Sequence, residues 1–347
     1  MNSLVNLPIW LLAQAPVAVP SRIEGWHWLA FTAFVIFMLF FDMLVVHRGA
    51  RESTMREASF WTAVMCGLAA IFNVVIWYWL GIEPASEFLA GYLVEWSLSM
   101  DNVFVFAVIF GFFRVPMKYQ HRVLFWGILG AVVMRLTFIL AGKAIISVFD
   151  WVLPLLGLVL IYSGVKLAFH GDSDVHPDQN ILMRAARKMF NVAKDDHGES
   201  FFAREAGKFC ITPLFLVLLV IESTDVVFAV DSVPAIFGLV DNDADYFTFI
   251  VFTSNVFAIL GLRALYFLLA GMMDMFKYLS YGLSAILVFV GCKMMAEYAA
   301  HKFHWVEDGH HLFTPTMSLS IVIGLLAVSI IASIVAAKRE AKSASDE

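Results

Sequence analysis

Residues 214–236 read LFLVLLVIESTDVVFAVDSVPAI, a stretch apolar enough to lie in lipid that nonetheless carries Glu222, Asp225 and Asp231. A carboxylate at the centre of a bilayer costs about 3 kcal/mol on insertion scales. Three in one span are sustainable only if a bound cation, a proton or a basic partner compensates them. No other feature of the chain limits its fold and chemistry as tightly.

The rest of the chain places that stretch among other membrane spans. Of 347 residues, 61% are hydrophobic and 15% charged, against about 25% charged in soluble domains, and the mean hydropathy is +0.81. Several apolar runs reach the ~20 residues that cross a bilayer as a helix, and the period-2 alternation of a membrane barrel is absent. The expected fold is therefore an all-α polytopic membrane protein with about nine transmembrane helices, near residues 26–46, 60–80, 88–111, 122–142, 150–169, 211–237, 246–268, 276–296 and 316–337. The apolar run at 4–13 has no preceding Lys or Arg and is interrupted by Asn6 and Pro8, so the first span, rather than a cleaved signal, is expected to begin the membrane domain near Trp26.

The connections alternate in charge. Arg48, Arg51 and Arg56 follow span one, and Arg114, Lys118 and Arg122 follow span three. Arg184, Arg187, Lys188, Lys194, Arg204 and Lys208 lie in the long loop after span five, Lys277 after span seven, and Lys338, Arg339 and Lys342 after span nine. The intervening loops are poor in base. The positive-inside rule then puts the N-terminus outside and the C-terminus in the cytoplasm. The expected divisions are a periplasmic segment 1–25, two peripheral helices 26–80, a cytoplasmic loop 170–210 with a short amphipathic helix near 181–192, a periplasmic His-rich loop 297–315, a ninth helix 316–337 and a disordered cytoplasmic tail 338–347. His301, His304, His310 and His311 read as a solvated loop, and Asp42 before His47 and Arg48 as a cap or local ion pair. The net charge of −6 argues against nucleic acid as a partner. Cys66, Cys210 and Cys292 form neither a disulfide framework nor a CxxC pair.

Residues 88–169 and 211–296 share landmarks in the same order. Ser99-Met100-Asp101-Asn102-Val103-Phe104 aligns with Ser223-Thr224-Asp225-Val226-Val227-Phe228. A lone arginine follows in the next span, Arg135 or Arg263, and then Gly164-Val165-Lys166 or Gly291-Cys292-Lys293. Each copy has three spans, so the second enters the membrane from the opposite side. The expected architecture is an inverted 3+3 repeat, spans three to five and six to eight, the usual basis of alternating access with a site near the midplane.

The candidate site residues are oxygen donors. Glu95, Ser99 and Asn102 share a helical face in span three, with Asp101 turned about 100° away. Span six contributes Glu222 and Asp225 one turn apart, and Pro234 is expected to break the helix and turn Asp231 inward. Carboxylate, amide and hydroxyl oxygens suit hard divalent ions, Mn²⁺, Mg²⁺ or Ca²⁺. Carboxylates in excess of one dication also suggest proton exchange. The competing reading is an ion-pair network: Arg135 and Arg263 lie deep enough to hold the acids together or to gate, whereas Lys166 and Lys293 lie near span ends, where they can snorkel.

The motifs Glu95-Trp96-Ser97-Leu98-Ser99-Met100-Asp101-Asn102 and Glu222-Ser223-Thr224-Asp225-Val226-Val227-Phe228-Ala229-Val230-Asp231-Ser232-Val233-Pro234 resemble the TerC/Alx family of bacterial integral membrane proteins, over residues 26–337. The resemblance implies an inner-membrane protein that exports manganese and a family name taken from tellurium resistance. It carries the family's acidic residues onto Glu95, Asp101, Glu222, Asp225 and Asp231. The expected function is thus a secondary exporter of a divalent metal, Mn²⁺ as substrate, in exchange for protons. No resident cofactor and no enzymatic activity are expected, and nothing resembles a P-loop, so ATP hydrolysis by this chain is not expected. The alternatives are a non-transporting membrane scaffold in a tellurite response and an intramembrane aspartyl protease; a GxGD motif is absent.

Overall fold

The computed structural model describes residues 23–41, 55–149, 151–170, 181–193, 198–205, 207–242, 244–269, 278–303 and 312–346. The expectations for the N-terminal segment, for Asp42, Arg48 and Arg51, for Lys277 and for His304, His310 and His311 fall outside the described residues.

Among those residues the chain forms ten helices and three short strands: α1 Gly25–Phe41, α2 Met55–Leu80, α3 Ile82–Phe112, α4 Met117–Ile146, α5 Val152–His170, α6 Ile181–Met189, β1 Asn191–Val192, β2 Phe202–Glu205, β3 Lys208–Ile211, α7 Pro213–Phe237, α8 Phe247–Leu269, α9 Leu279–Lys302 and α10 Pro315–Asp346. Eight of the helices, all except α1 and α6, are long and apolar enough to cross a membrane. The described part of α1 has 17 residues, and it occupies the expected first span. The protein is an all-α, multi-pass integral membrane protein. The residues after 337 depart from the expected disordered tail: the α10 backbone stays helical to Asp346, in an Ala-, Lys- and Glu-rich stretch of good helix formers.

α8 is the central helix, buried along almost its whole length. It packs on α2, α3 and α4, and Phe249, Phe252 and Phe257 meet Trp28, Phe31, Phe34 and Phe72 of α1 and α2. In lipid there is no hydrophobic force between helices, so such packing and small residues at crossings hold the bundle. The most extensive crossing joins α5 and α9. There a methyl on Gly157 would stand 2.9 Å from the Gly291 carbonyl oxygen, and Ser284 Oγ donates to the Gly164 carbonyl at 2.6 Å. α7 packs on α4 and α3, and α10 covers α3 and α9.

The connection after α5 is more structured than a linker. α6 occupies the expected amphipathic stretch but ends at Met189, and a three-stranded sheet follows in the order β1-β3-β2. Its last strand leads through Thr212 into α7. The Thr212 hydroxyl accepts from Phe215 N at 3.3 Å and donates to Ser200 O at 2.7 Å, and Pro213 takes the first helical position. That is a favourable N-cap, and it fixes where the acidic helix enters the bundle. α7 then runs without interruption to Phe237, with Pro234 inside it. The expected break is therefore not made: Pro234 falls in the last turn, where Gly238 N already reaches the Pro234 carbonyl at 3.0 Å.

Candidate cation site

The face of α7 that carries the acids points into the bundle. Asp225, Ala229, Ser232 and Val233 are buried, while Val226 and Val230 are exposed. Lipid-facing positions are thus apolar, and the costly groups have protein around them.

Arg135 of α4, fully buried at 0% exposure, is the hub. Its Nη1 forms a short ion pair with Glu95 Oε1 of α3. The same nitrogen donates to Asn255 Oδ1 of α8 at 2.8 Å and to Ser232 Oγ of α7 at 3.0 Å. Nη2 lies 3.4 Å from Asp225 Oδ1. Four helices therefore converge on one guanidinium. Asn255 holds its orientation by donating Nδ2 to the Val251 carbonyl at 2.9 Å, which leaves its oxygen for the arginine.

A cavity of about 240 Å³ adjoins this hub, with Asp101, Asn102, Arg135, Ser163, Lys166 and Asp231 among its lining residues. Ser163 Oγ of α5 donates to Asp231 Oδ1 at 2.7 Å. Glu222 lies apart from this cavity. With Asp225 it lines a slit of about 10 Å³, about one water's worth, and its carboxylate occupies the space a side chain at Gly130 would need. Ser99 is buried beside Met100 and Asn102 in α3.

Several buried atoms around the hub make no hydrogen bond in this arrangement: Glu95 Oε2, Asp225 Oδ2, Ser99 Oγ, Asn102 Nδ2 and Arg135 Nε. Nearly all buried polar groups in folded proteins are paired, so a cluster of orphaned oxygens calls for a ligand or a rearrangement. Among the described residues, no three His, Cys, Asp or Glu side chains converge tightly enough to hold a metal ion. The reason is visible: the guanidinium stands where the carboxylates would meet.

The sequence-expected residues thus divide. Glu95, Asp225 and Arg135 are in direct contact; Asp101, Asn102, Asp231 and Lys166 line the adjoining cavity; Glu222 sits one turn below Asp225 in its own slit. Arg263 is buried in α8 and is not among the residues lining the cavity. Lys293, near a span end in the sequence where it can snorkel, is instead only 6% exposed and pairs with Glu297 at 3.8 Å. Asn255, Ser163 and Ser232 were not anticipated. The single asparagine within the apolar run 247–269 is the one signal that could have revealed the first of them.

Comparison with known proteins agrees with this architecture. Residues 80–341 match the family described as "Integral membrane protein TerC family". An uncharacterised membrane protein of Myxococcus xanthus is 44% identical over 319 residues, covering 92% of this chain and 95% of its own. A protein of Escherichia coli K12 named as a membrane-bound redox modulator, Alx, is 41% identical over 313 residues, covering 88% and 92%. A Rickettsia bellii membrane protein is 35% identical over 309 residues, covering 89% and 97%. No solved structure matches. The chain is a member of the TerC family of integral membrane proteins.

Proposed function

We propose that this protein is a secondary transporter that exports a divalent metal ion, Mn²⁺ above all, from the cytoplasm in exchange for protons. The observation that carries the reading is the charge balance at the centre of the bundle. Glu95, Asp101, Asp225 and Asp231 face Arg135 and Lys166. With all six ionised, two negative charges are in excess, matching one dication or two protons. The donors are carboxylate, amide and hydroxyl oxygens, which suit a hard cation, and several of them are unpartnered. The choice of manganese over calcium or magnesium rests on the family resemblance.

The proposal places the protein in the bacterial inner membrane, N-terminus outside and C-terminus cytoplasmic, as the basic loops imply. It treats α3–α5 and α7–α9 as an inverted repeat. The packing supports this: α3 meets α8 as α4 meets α7, and the third helices of the two halves, α5 and α9, cross each other. Such a relation lets the two halves rock about a fixed central site. The chain acts without a resident cofactor and without catalysing a covalent reaction; its partners are the transported ion, protons and the bilayer.

A second reading has one observation in its favour. Arg135 is so fully engaged by Glu95, Asp225, Asn255 and Ser232 that the cluster could serve as a structural ion-pair network in a non-transporting scaffold. The name of the Escherichia coli relative concerns redox modulation; here the three cysteines, Cys66, Cys210 and Cys292, are all free thiols.

The two readings differ in what a neutral isostere does. Asp101→Asn keeps shape but removes a cavity charge. In cells lacking other manganese exporters, the transporter reading expects the wild-type chain to restore growth in excess Mn²⁺ and lower cell manganese, and Asp101→Asn and Asp225→Asn to lose both effects while remaining in the membrane. Full tolerance with either variant counts for the scaffold.

A further inference from the structure

A second set of buried charges lies near the end of the bundle where α3 begins, away from Arg135. Glu87, five residues into α3 and so about 8 Å along its axis, is 1% exposed. Its Oε1 accepts from Asp241 N at 3.0 Å, and its Oε2 is buried without a hydrogen bond. Lys293 of α9 is near enough to Glu87 and Asp241 to attract both, and its Nζ lies 3.8 Å from Glu297 Oε1. Tyr246 adjoins Glu87. Lys143 of α4 donates to the Asn242 carbonyl and lies 4.5 Å from the centre of the Phe247 ring. Asn242 Nδ2 donates in turn to the Phe237 carbonyl at 3.3 Å. The α7–α8 connection is thus tied to α3 and α4 by hydrogen bonds and drawn to α9 by charge.

Apolar contacts lie close behind this layer. A side chain at Gly238 would run into Val290 and Met294, and one at Gly142 would stand 2.7 Å from the Phe237 ring, which meets Phe247 at 5.0 Å between centroids. The 240 Å³ cavity is lined instead by Asp101 and Asn102, by Lys166 and Leu167 and by Leu283 and Leu287, positions toward the opposite ends of α3, α5 and α9. Among the described residues, the Glu87 end is closely packed at Gly142 and Gly238, and the 240 Å³ cavity lies toward the opposite end.

Apolar packing alone would seal that end more cheaply, because buried charges pay a desolvation cost that their attraction does not always repay. What charges add is reversibility. When the elements part, water solvates the separated ions, so the open arrangement is not far above the closed one, and a packed interface becomes a two-position element. We propose that Glu87 and Lys293, with Asp241 and Glu297, form an ionic gate that closes the Glu87 end of the bundle and opens to connect the central cavity with that side of the membrane. This deepens the transport reading and rests on it, but the test needs no transported ion.

The test is one-sided labelling. In full-length protein with Cys66, Cys210 and Cys292 replaced by serine, Leu98→Cys places a single thiol in the cavity wall. Sealed vesicles of known sidedness are treated from either face with a charged, membrane-impermeant methanethiosulfonate reagent. The parent is expected to react slowly from the Glu87 face. Lys293→Met, and independently Glu87→Gln, should raise the rate from that face at least tenfold without raising the rate from the other face. Unchanged rates from the Glu87 face in both variants would overturn the gate. Equal rises from both faces would also overturn it, since they report general loosening. If the labelling behaves as expected while metal flux is absent, the transport reading fails and the gate stands.

Discussion

Arg135→Met is expected to cost more stability than any other single substitution in the membrane core. The guanidinium is the direct counter-charge of Glu95 and Asp225, and all three are buried. Removing one partner of a buried ion pair typically costs about 3–5 kcal/mol, because the remaining charge has neither water nor partner. Here two carboxylates are stranded, together with the oxygens of Asn255 and Ser232. Thermal unfolding in detergent, followed by the fraction that stays monodisperse, should show the variant lost well below the parent. The double variant Arg135→Met with Glu95→Gln should recover part of the loss, since it removes a stranded charge along with the base. A single variant as stable as the parent would mean that Arg135 is not the counter-charge described here.

The second large effect is expected at the α5–α9 crossing. A methyl on Gly291 would lie 2.5 Å from the Gly157 carbonyl oxygen and 3.1 Å from the Ile161 backbone nitrogen. These are backbone atoms and cannot swing aside, so the helices must separate. Overpacking costs typically about 1–3 kcal/mol and sometimes more, and Gly291→Val should stand at the upper end. The same detergent melt reads it. Gly67→Ala on α2 is the control: nothing lies within 4 Å of the added methyl, and no loss is expected. If Gly291→Val melts with Gly67→Ala, the close crossing is not a stabilising contact.

The acids of α3 and α7 were legible because a carboxylate in an apolar span is expensive and rarely idle. Which base meets them was not. Arg135 and Arg263 each follow an acidic motif in the next apolar run of the sequence, and only packing decides that the first reaches Glu95 and Asp225. Ser163 gave little sign because membrane helices commonly carry hydroxyls that bond their own backbone, as Ser97 and Thr253 do here. Depth along the sequence suggested that Lys293 could escape to the interface, but it is buried, with Glu297 one turn on at 3.8 Å. The sheet of β1–β3 was hidden for a different reason. Its strands are two to four residues long, and β1 pairs with Cys210 and Ile211, which lie beyond β2 in the sequence, so no local alternation betrays it.

The most direct test of the central claim is flux through purified protein in pH-clamped vesicles, offered Mn²⁺, Ca²⁺, Mg²⁺ and Zn²⁺ in turn with proton movement recorded alongside. Mn²⁺ movement coupled to opposite proton movement is expected, near two protons per ion, with both signals lost together in Asp231→Asn. Vesicles in which no divalent ion moves, or in which Asp231→Asn carries Mn²⁺ as fast as the parent, would contradict it.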